Sequence, residues 1–384
     1  MFIIKYKYNS ILDVKESNGL KDRKRKNIGL GILVIVLSII GFWMLSQREG
    51  ESNYTTKIEK WDNLYSGNNI KFYYIDDSVA EIATLKSKYK VDTLVDENSS
   101  EIMKCIDINK WLHEKGEITL SDMDTNKDAE ELLNILISEK KVSQKDYNTI
   151  LQELLSSIGI KVRIGEYRLD GNYSVLEVWD SNFNKWIMFD AVTGGYFKKG
   201  DEPLSAIQVL NEDLSQLKVS SGEDRALEKK SIKSLNKCLG TYSIRIDNSK
   251  YEGSIINSYI TYIKDIKNAQ LEASQGYIPP TIFVDNESLF SISPYEEYVN
   301  DESDEIPTII FAKKNIKDDD ESYTKFTLGA FMNSVMMEEF YVRINQGEFI
   351  KVDTYYNLSI EKGVTTIEIS LDGINPLRQI VIKK

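Results

Sequence analysis

The chain has 384 residues, of which 41% are hydrophobic and 28% charged, and its formal net charge is −12 at pH 7. That length accommodates a membrane anchor and two folded domains, the composition excludes a largely disordered chain, and the acidic balance excludes nucleic-acid binding through bulk charge. Two cysteines, Cys105 and Cys238, and one histidine, His113, are too few for a disulfide framework or a zinc site. The thiols read as buried apolar groups, a single disulfide being the other reading, and no metal or cofactor is expected.

From Asn27 to Gln47 there is no charged side chain, and Ile28–Leu45 is dominated by Ile, Leu, Val and Phe. About 20 such residues in a helix cross the ~30 Å hydrocarbon core of a bilayer, so residues 27–47 are expected to span a membrane. Arg23, Lys24, Arg25 and Lys26 precede the run. By the positive-inside rule residues 1–26 stay in the cytoplasm and the bulk of the chain lies outside, with Trp43 near the outer interface. A cleaved signal peptide is the rival reading, but it calls for a shorter run and small residues at the cleavage site, whereas Ser46-Gln47-Arg48-Glu49 follows here. The expected location is therefore a cell membrane, single-pass, with the bilayer itself as one partner.

Residues 48–77 read as a stalk and entry segment, polar from Glu49 to Lys60. Residues 78–238 read as an α+β domain. Apolar spacing predicts helices over Ser78–Tyr89, Ser99–Lys115, Asn126–Glu139 and Gln144–Ile158. In the last, Tyr147, Ile150, Leu151, Leu154, Leu155 and Ile158 form a wide stripe that Gly159 terminates. Strands follow at Lys161–Arg168, Asn172–Trp179 and Lys185–Phe189, the last two joined as a hairpin through Asp180–Asn184. Glu202–Lys237 reads as helical and charged.

Residues 239–384 read as an all-β sandwich. Its predicted strands are Thr281–Val284, Thr308–Phe311, Thr324–Leu328, Phe340–Ile344, Glu348–Val352, Val364–Leu371 and Ile380–Lys383, with turns at Asn345-Gln346-Gly347 and Asp372-Gly373. The acidic run Asp318–Glu321 lacks the alternating ligands and central glycine of a calcium loop and reads as a solvated turn.

Between about Lys86 and Leu214, roughly one third of the chain, several segments occur in a telling order. They are Ile108-Asn109-Lys110-Trp111-Leu112-His113, Tyr147–Gly159, Ile160-Lys161-Val162-Arg163, Leu176-Glu177-Val178-Trp179, Lys185-Trp186-Ile187-Met188-Phe189-Asp190 and Gly195-Tyr196-Phe197. Together they resemble bacterial transglutaminase-like domains, part of the papain-like cysteine-enzyme superfamily. The C-terminal sandwich resembles Ig-like modules of bacterial surface proteins at the level of fold alone.

The resemblance implies a cysteine opening the long helix, a histidine base on the next core strand and an aspartate orienting it. Those positions hold Gln144, Tyr173 and Asp190. Glutamine is no nucleophile at neutral pH, and tyrosine, with an unperturbed pKa near 10, is a poor base. Losing such groups costs many orders of magnitude in a triad enzyme. Cys105 and His113 cannot rebuild the pair from one helix, because eight residues rise about 12 Å. His113 takes a structural reading.

The expected function is therefore binding or scaffolding, without catalysis, of an envelope peptide, glycan or protein. The candidate cleft comprises Glu177, Trp179 and Trp186. The alternative is a hydrolase or transferase using Glu177 and Asp190 in a non-cysteine mechanism, which requires Glu177 to be free of Arg163. A third reading is a structural partner in a membrane complex. A closed, packed site argues for a scaffold, and an open groove lined by Trp and Tyr for ligand binding.

Overall fold

The computed structural model describes residues 56–384 apart from 76–77, 122–124, 126, 221–224, 248–257, 272–278, 300–303 and 315–322. The predicted membrane span 27–47 and the acidic run Asp318–Glu321 lie outside the described residues. Among the described residues no helix is long and apolar enough to cross a membrane.

In chain order the first part contains β1 (Lys57–Asp62), α1 (Ala80–Tyr89), α2 (Glu101–His113), β2 (Glu117–Thr119), α3 (Ala129–Glu139), β3 (Lys141–Ser143) and α4 (Gln144–Ser157). Then come β4 (Val162–Arg168), β5 (Asn172–Asp180), β6 (Lys185–Asp190), β7 (Gly195–Lys199), β8 (Glu202–Pro203), α5 (Ala206–Asn211), β9 (Lys218–Ser220) and α6 (Arg225–Cys238). The remainder is β-rich: β10 (Thr241–Ile246), β11 (Ser258–Ile263), β12 (Thr281–Val284), β13 (Thr308–Lys313), β14 (Tyr323–Met332) and β15 (Val335–Met336). It ends with β16 (Glu339–Ile344), β17 (Ile350–Asp353), β18 (Tyr356–Glu361), β19 (Val364–Ser370) and β20 (Arg378–Lys383). The fold is mixed α+β.

The long helices form where the sequence stripes place them, with caps that satisfy their first free N–H groups. The Asp128 side chain accepts from the Glu131 N–H to open α3, and the Ser143 side chain accepts from the Asp146 N–H to open α4. Gly159, at φ +81°, turns the chain out of α4 towards β4. One face of α2, α3 and α4 buries Ile106, Leu132, Leu151 and Leu155 against Val162, Val178, Ile187 and Phe189 of the sheet.

The expected boundary between residues 238 and 239 is crossed by a continuous sheet. A 13-stranded sheet runs β15-β14-β13-β12-β11-β10-β4-β5-β6-β7-β8, with β18 and β9 paired at its margins. The junction is β10 on β4, antiparallel from Thr241↔Arg168 to Ile244↔Gly165. Most of its pairs are antiparallel, but β11 and β12 run parallel. A second sheet, β1-β20-β19-β16-β17, lies against the β11–β14 and β18 portion, with Phe283, Ile309 and Phe326 of the large sheet meeting Val342, Ile367 and Ile380.

Two further expectations are corrected. The proposed stalk 48–77 contains β1, which pairs with β20 from Lys57↔Lys383 to Asp62↔Gln379 and packs Trp61 against Phe283. The register shift between Ile58 and Lys60 breaks the simple alternation that would have marked it as a strand. The expected helical stretch Glu202–Lys237 is instead β8, the short α5, a 3-10 turn, β9 and then α6. Here strand pairing prevails over charge pattern, since β8 and β9 both pair with β7.

Candidate functional site

The three positions singled out by the resemblance come together at one end of the sheet. Gln144 is the first residue of α4, Tyr173 lies near the start of β5, and Asp190 ends β6. The Tyr173 hydroxyl donates to Asp190 Oδ1 at 3.0 Å. Gln144 Oε1 accepts from the Ser174 backbone N–H at 3.4 Å, a long bond. Gln144 Nε2 is buried without a hydrogen-bond partner.

A fourth side chain completes the cluster. Ser231, on α6, donates to Asp190 Oδ2 at 2.7 Å and is in close hydrogen-bond contact with the Tyr173 hydroxyl. Ser231 was not anticipated from sequence. It sits on the buried stripe of α6 with Leu235 and Cys238, at i, i+4 and i+7, and a serine inside an apolar stripe is the signal that could have flagged it. Asp190 Oδ1 also accepts from the Val192 N–H at 3.2 Å.

Charge is poorly tolerated in this cluster. Burial pushes the Asp190 carboxyl above its usual range, partly opposed by hydrogen bonds from Ser231, Thr193, Tyr173 and Val192. Burial, with the Asp190 charge beside it, pushes the Tyr173 phenol well above its usual value. A phenol held protonated cannot serve as a general base near neutrality. Three close oxygen pairs link Tyr173, Ser231 and Asp190, while the two hydroxyls supply only two protons. A proton on Asp190 would close that ring, in keeping with the direction of its shift.

Access is equally restricted. Asp190 and Ser231 are 0% exposed, Tyr173 1% and Gln144 5%, which leaves no opening to the carboxylate. A cavity of about 190 Å³ lies beside Gln144 and Tyr173, roofed by Ser234, Lys237 and Cys238 of α6, but neither Asp190 nor Ser231 lines it.

The expected cleft residues do not line an open groove. Trp179 and Trp186 are buried and meet edge to face at 5.4 Å, and Trp186 donates from Nε1 to the Ile292 carbonyl at 2.9 Å. Glu177 is bound on every side. It accepts from Arg163 Nε at 2.9 Å, from Tyr242 Oη at 3.0 Å and from the Ala206 N–H at 2.9 Å. This removes the base that the Glu177–Asp190 alternative requires.

His113 and the cysteines take structural positions. His113 Nε2 lies 2.9 Å from the Ala191 carbonyl and its ring packs at 5.4 Å from Tyr147, beneath the turn that follows Asp190. Cys105 and Cys238 are buried in different apolar clusters and are not joined by a disulfide. Burial pushes the Cys105 thiol well above its usual value, the reverse of what a nucleophile needs. Among the described residues no group of three or more His, Cys, Asp or Glu side chains is arranged to hold a metal ion.

No protein-family model matches the chain, and no curated protein gives a significant match. Among solved structures, the chain is similar to "a Putative Cysteine Protease from Cytophaga hutchinsonii" at 15% identity, covering 35% of this chain and 48% of that chain, with a TM-score of 0.23.

Proposed function

We propose that this chain is a catalytically inactive transglutaminase-like protein, anchored by residues 27–47 at the outer face of a bacterial membrane. It acts there as a binding or scaffolding module for an envelope peptide, glycan or protein, to which its strand-rich C-terminal half adds an Ig-like surface. The observation that carries this reading is the closed cluster of Gln144, Tyr173, Asp190 and Ser231. Residues at the three positions of a nucleophile, a base and its orienting acid meet, yet only the acid is chemically fit, and Ser231 fills the space above it. The closed packing favours a scaffold over a reactive cleft.

The test restores the missing groups. In a Ser231→Ala background, Gln144→Cys with Tyr173→His places a thiol at the N-terminus of α4, where the helix dipole favours the thiolate. Iodoacetamide should alkylate the new thiol at least ~10-fold faster than Cys105 in the folded variant, as judged by circular dichroism. A new thiol no faster than Cys105 would show that the family register has been misplaced. The unaltered protein should turn over no amide or ester substrate, and turnover abolished by Asp190→Ala would refute inactivity.

A further inference from the structure

The opposite face of the sheet carries a second feature, independent of the cluster just described. Strand alternation sends Tyr173 to one side and Ser174 to the other, where α4 covers only part of the surface. Beyond the edge of α4 a groove of about 320 Å³ is bounded by Lys145, Thr149 and Glu153 of α4, Glu166 of β4, Arg245 of β10 and Tyr259 of β11. That volume is at the lower end of the roughly 300–1,000 Å³ usual for small-molecule sites.

Its electrostatics run against the molecule. The chain carries a net charge of −12, yet Lys127, Lys145 and Arg245 all border this groove. Lys127 pairs with Glu131. Of the acids on the groove wall, Glu166 is paired with Arg168 at 3.0 Å, and burial raises the Glu153 pKa to about 7. The guanidinium of Arg245 is stacked 3.8 Å over the Tyr73 ring, and its Nε is buried without a hydrogen-bond partner. A guanidinium laid flat against a ring presents its planar fork in a set direction, which suits it to an oxygen acceptor. The hydroxyls of Ser243 and Thr149 also line the wall, the first paired with Thr261 and the second donating to the Lys145 carbonyl.

We infer that the groove between α4 and strands β10 and β11 is a binding site for an oxyanion, a carboxylate or phosphate borne on a small polar molecule or chain end, with Arg245 as its principal contact. Arg245 lies on the face that Tyr173 and Asp190 do not occupy, so this site stands or falls separately from the inactive cluster.

Isothermal titration of the whole protein with triglutamate in one arm and inorganic phosphate in the other tests the assignment and separates its two sources. Whichever anion binds should bind at least ~10-fold more weakly to Arg245→Gln, and more weakly to Lys145→Gln, while Lys351→Gln on the far sheet leaves binding unchanged. Arg245→Lys keeps the charge and loses the planar fork, so it should retain only part of the affinity and guards against a folding artefact. No binding in either arm, or equal affinity in Arg245→Gln with its melting temperature unchanged, overturns the assignment.

Discussion

Glu153 shows how a single side chain couples the fold to pH. Its carboxyl is partly buried on α4, accepts from the Ala129 N–H and lies near the charge of Asp128, the cap of α3. Burial first, and Asp128 second, raise its pKa from 4.5 to about 7. The folded chain therefore holds this proton more tightly than the unfolded chain does. Its stabilising contribution is complete below the unfolded value and is lost as pH rises through about 7. Glu153→Gln should flatten the fall in melting temperature between pH 4.5 and 7 and raise it at pH 8. A melting curve that declines across that window as steeply as before would remove Glu153 as its cause. That Gln144, Tyr173 and Asp190 meet is legible in sequence, because the pattern around them marks the start of a helix and two neighbouring strands. Ser231 was not, because it acts from a helix about forty residues after Asp190 and its type has no chemical signature on its own. The Arg163 partner of Glu177 is legible in sequence, whereas Tyr242 and Ala206 reach it from distant elements and are not.

The Arg163–Glu177 pair ties several elements together. It joins β4 to β5 directly, holds the start of α5 through the Ala206 N–H, reaches β10 through Tyr242, and meets the Phe290 carbonyl through Arg163 Nη2. Arg163 is also sandwiched between the rings of Phe72 and Trp186, at 4.9 and 4.1 Å. Gly165 makes room for this arrangement, because a Cβ there would lie 1.9 Å from Tyr242 Oη. Both charges are buried, so removing one strands the other. Glu177→Ala should destabilise by about 3–5 kcal/mol, whereas Arg163→Met with Glu177→Leu should cost less than either single change. Denaturant titration of Glu177→Ala, Arg163→Met, Glu177→Leu and the double variant decides it, and a double variant as damaged as the sum of Arg163→Met and Glu177→Leu would mean the pair is not coupled. At this scale the long helices are legible, since α4 carries five apolar residues, Tyr147, Ile150, Leu151, Leu154 and Leu155, on one stripe. Strands are less evenly legible. The alternation of Tyr242, Ile244 and Ile246 in β10 marks a strand only once its partners are known. Its pairing with β4 depends on residues that sequence order places far away.

At the scale of the molecule, the sheet argues against two separable domains. β10 closes the edge of β4, and Tyr242, Ile244 and Ile260 from the strand-rich half share one apolar cluster with Tyr167, Tyr173 and Leu235 from the helical half. The two extremes of the described chain also meet, since β1 pairs with β20. The composition gives no hint of this, because a linker-like change in pattern near Leu239 looks the same whether the next strand starts a new sheet or extends an old one. Such a sheet is built from long-range contacts that must form together, so residues 56–384 should melt in one cooperative transition by calorimetry and near-ultraviolet circular dichroism. A chain ending at Cys238 would leave the β4 edge unpaired and uncover the apolar side chains that β10 and β11 now bury. An open edge beside exposed apolar surface favours aggregation, and that fragment should be insoluble or lack a defined melt. Two resolved transitions in the whole protein, or a soluble 56–238 fragment with the melting temperature of the parent, would instead establish the boundary at residue 238.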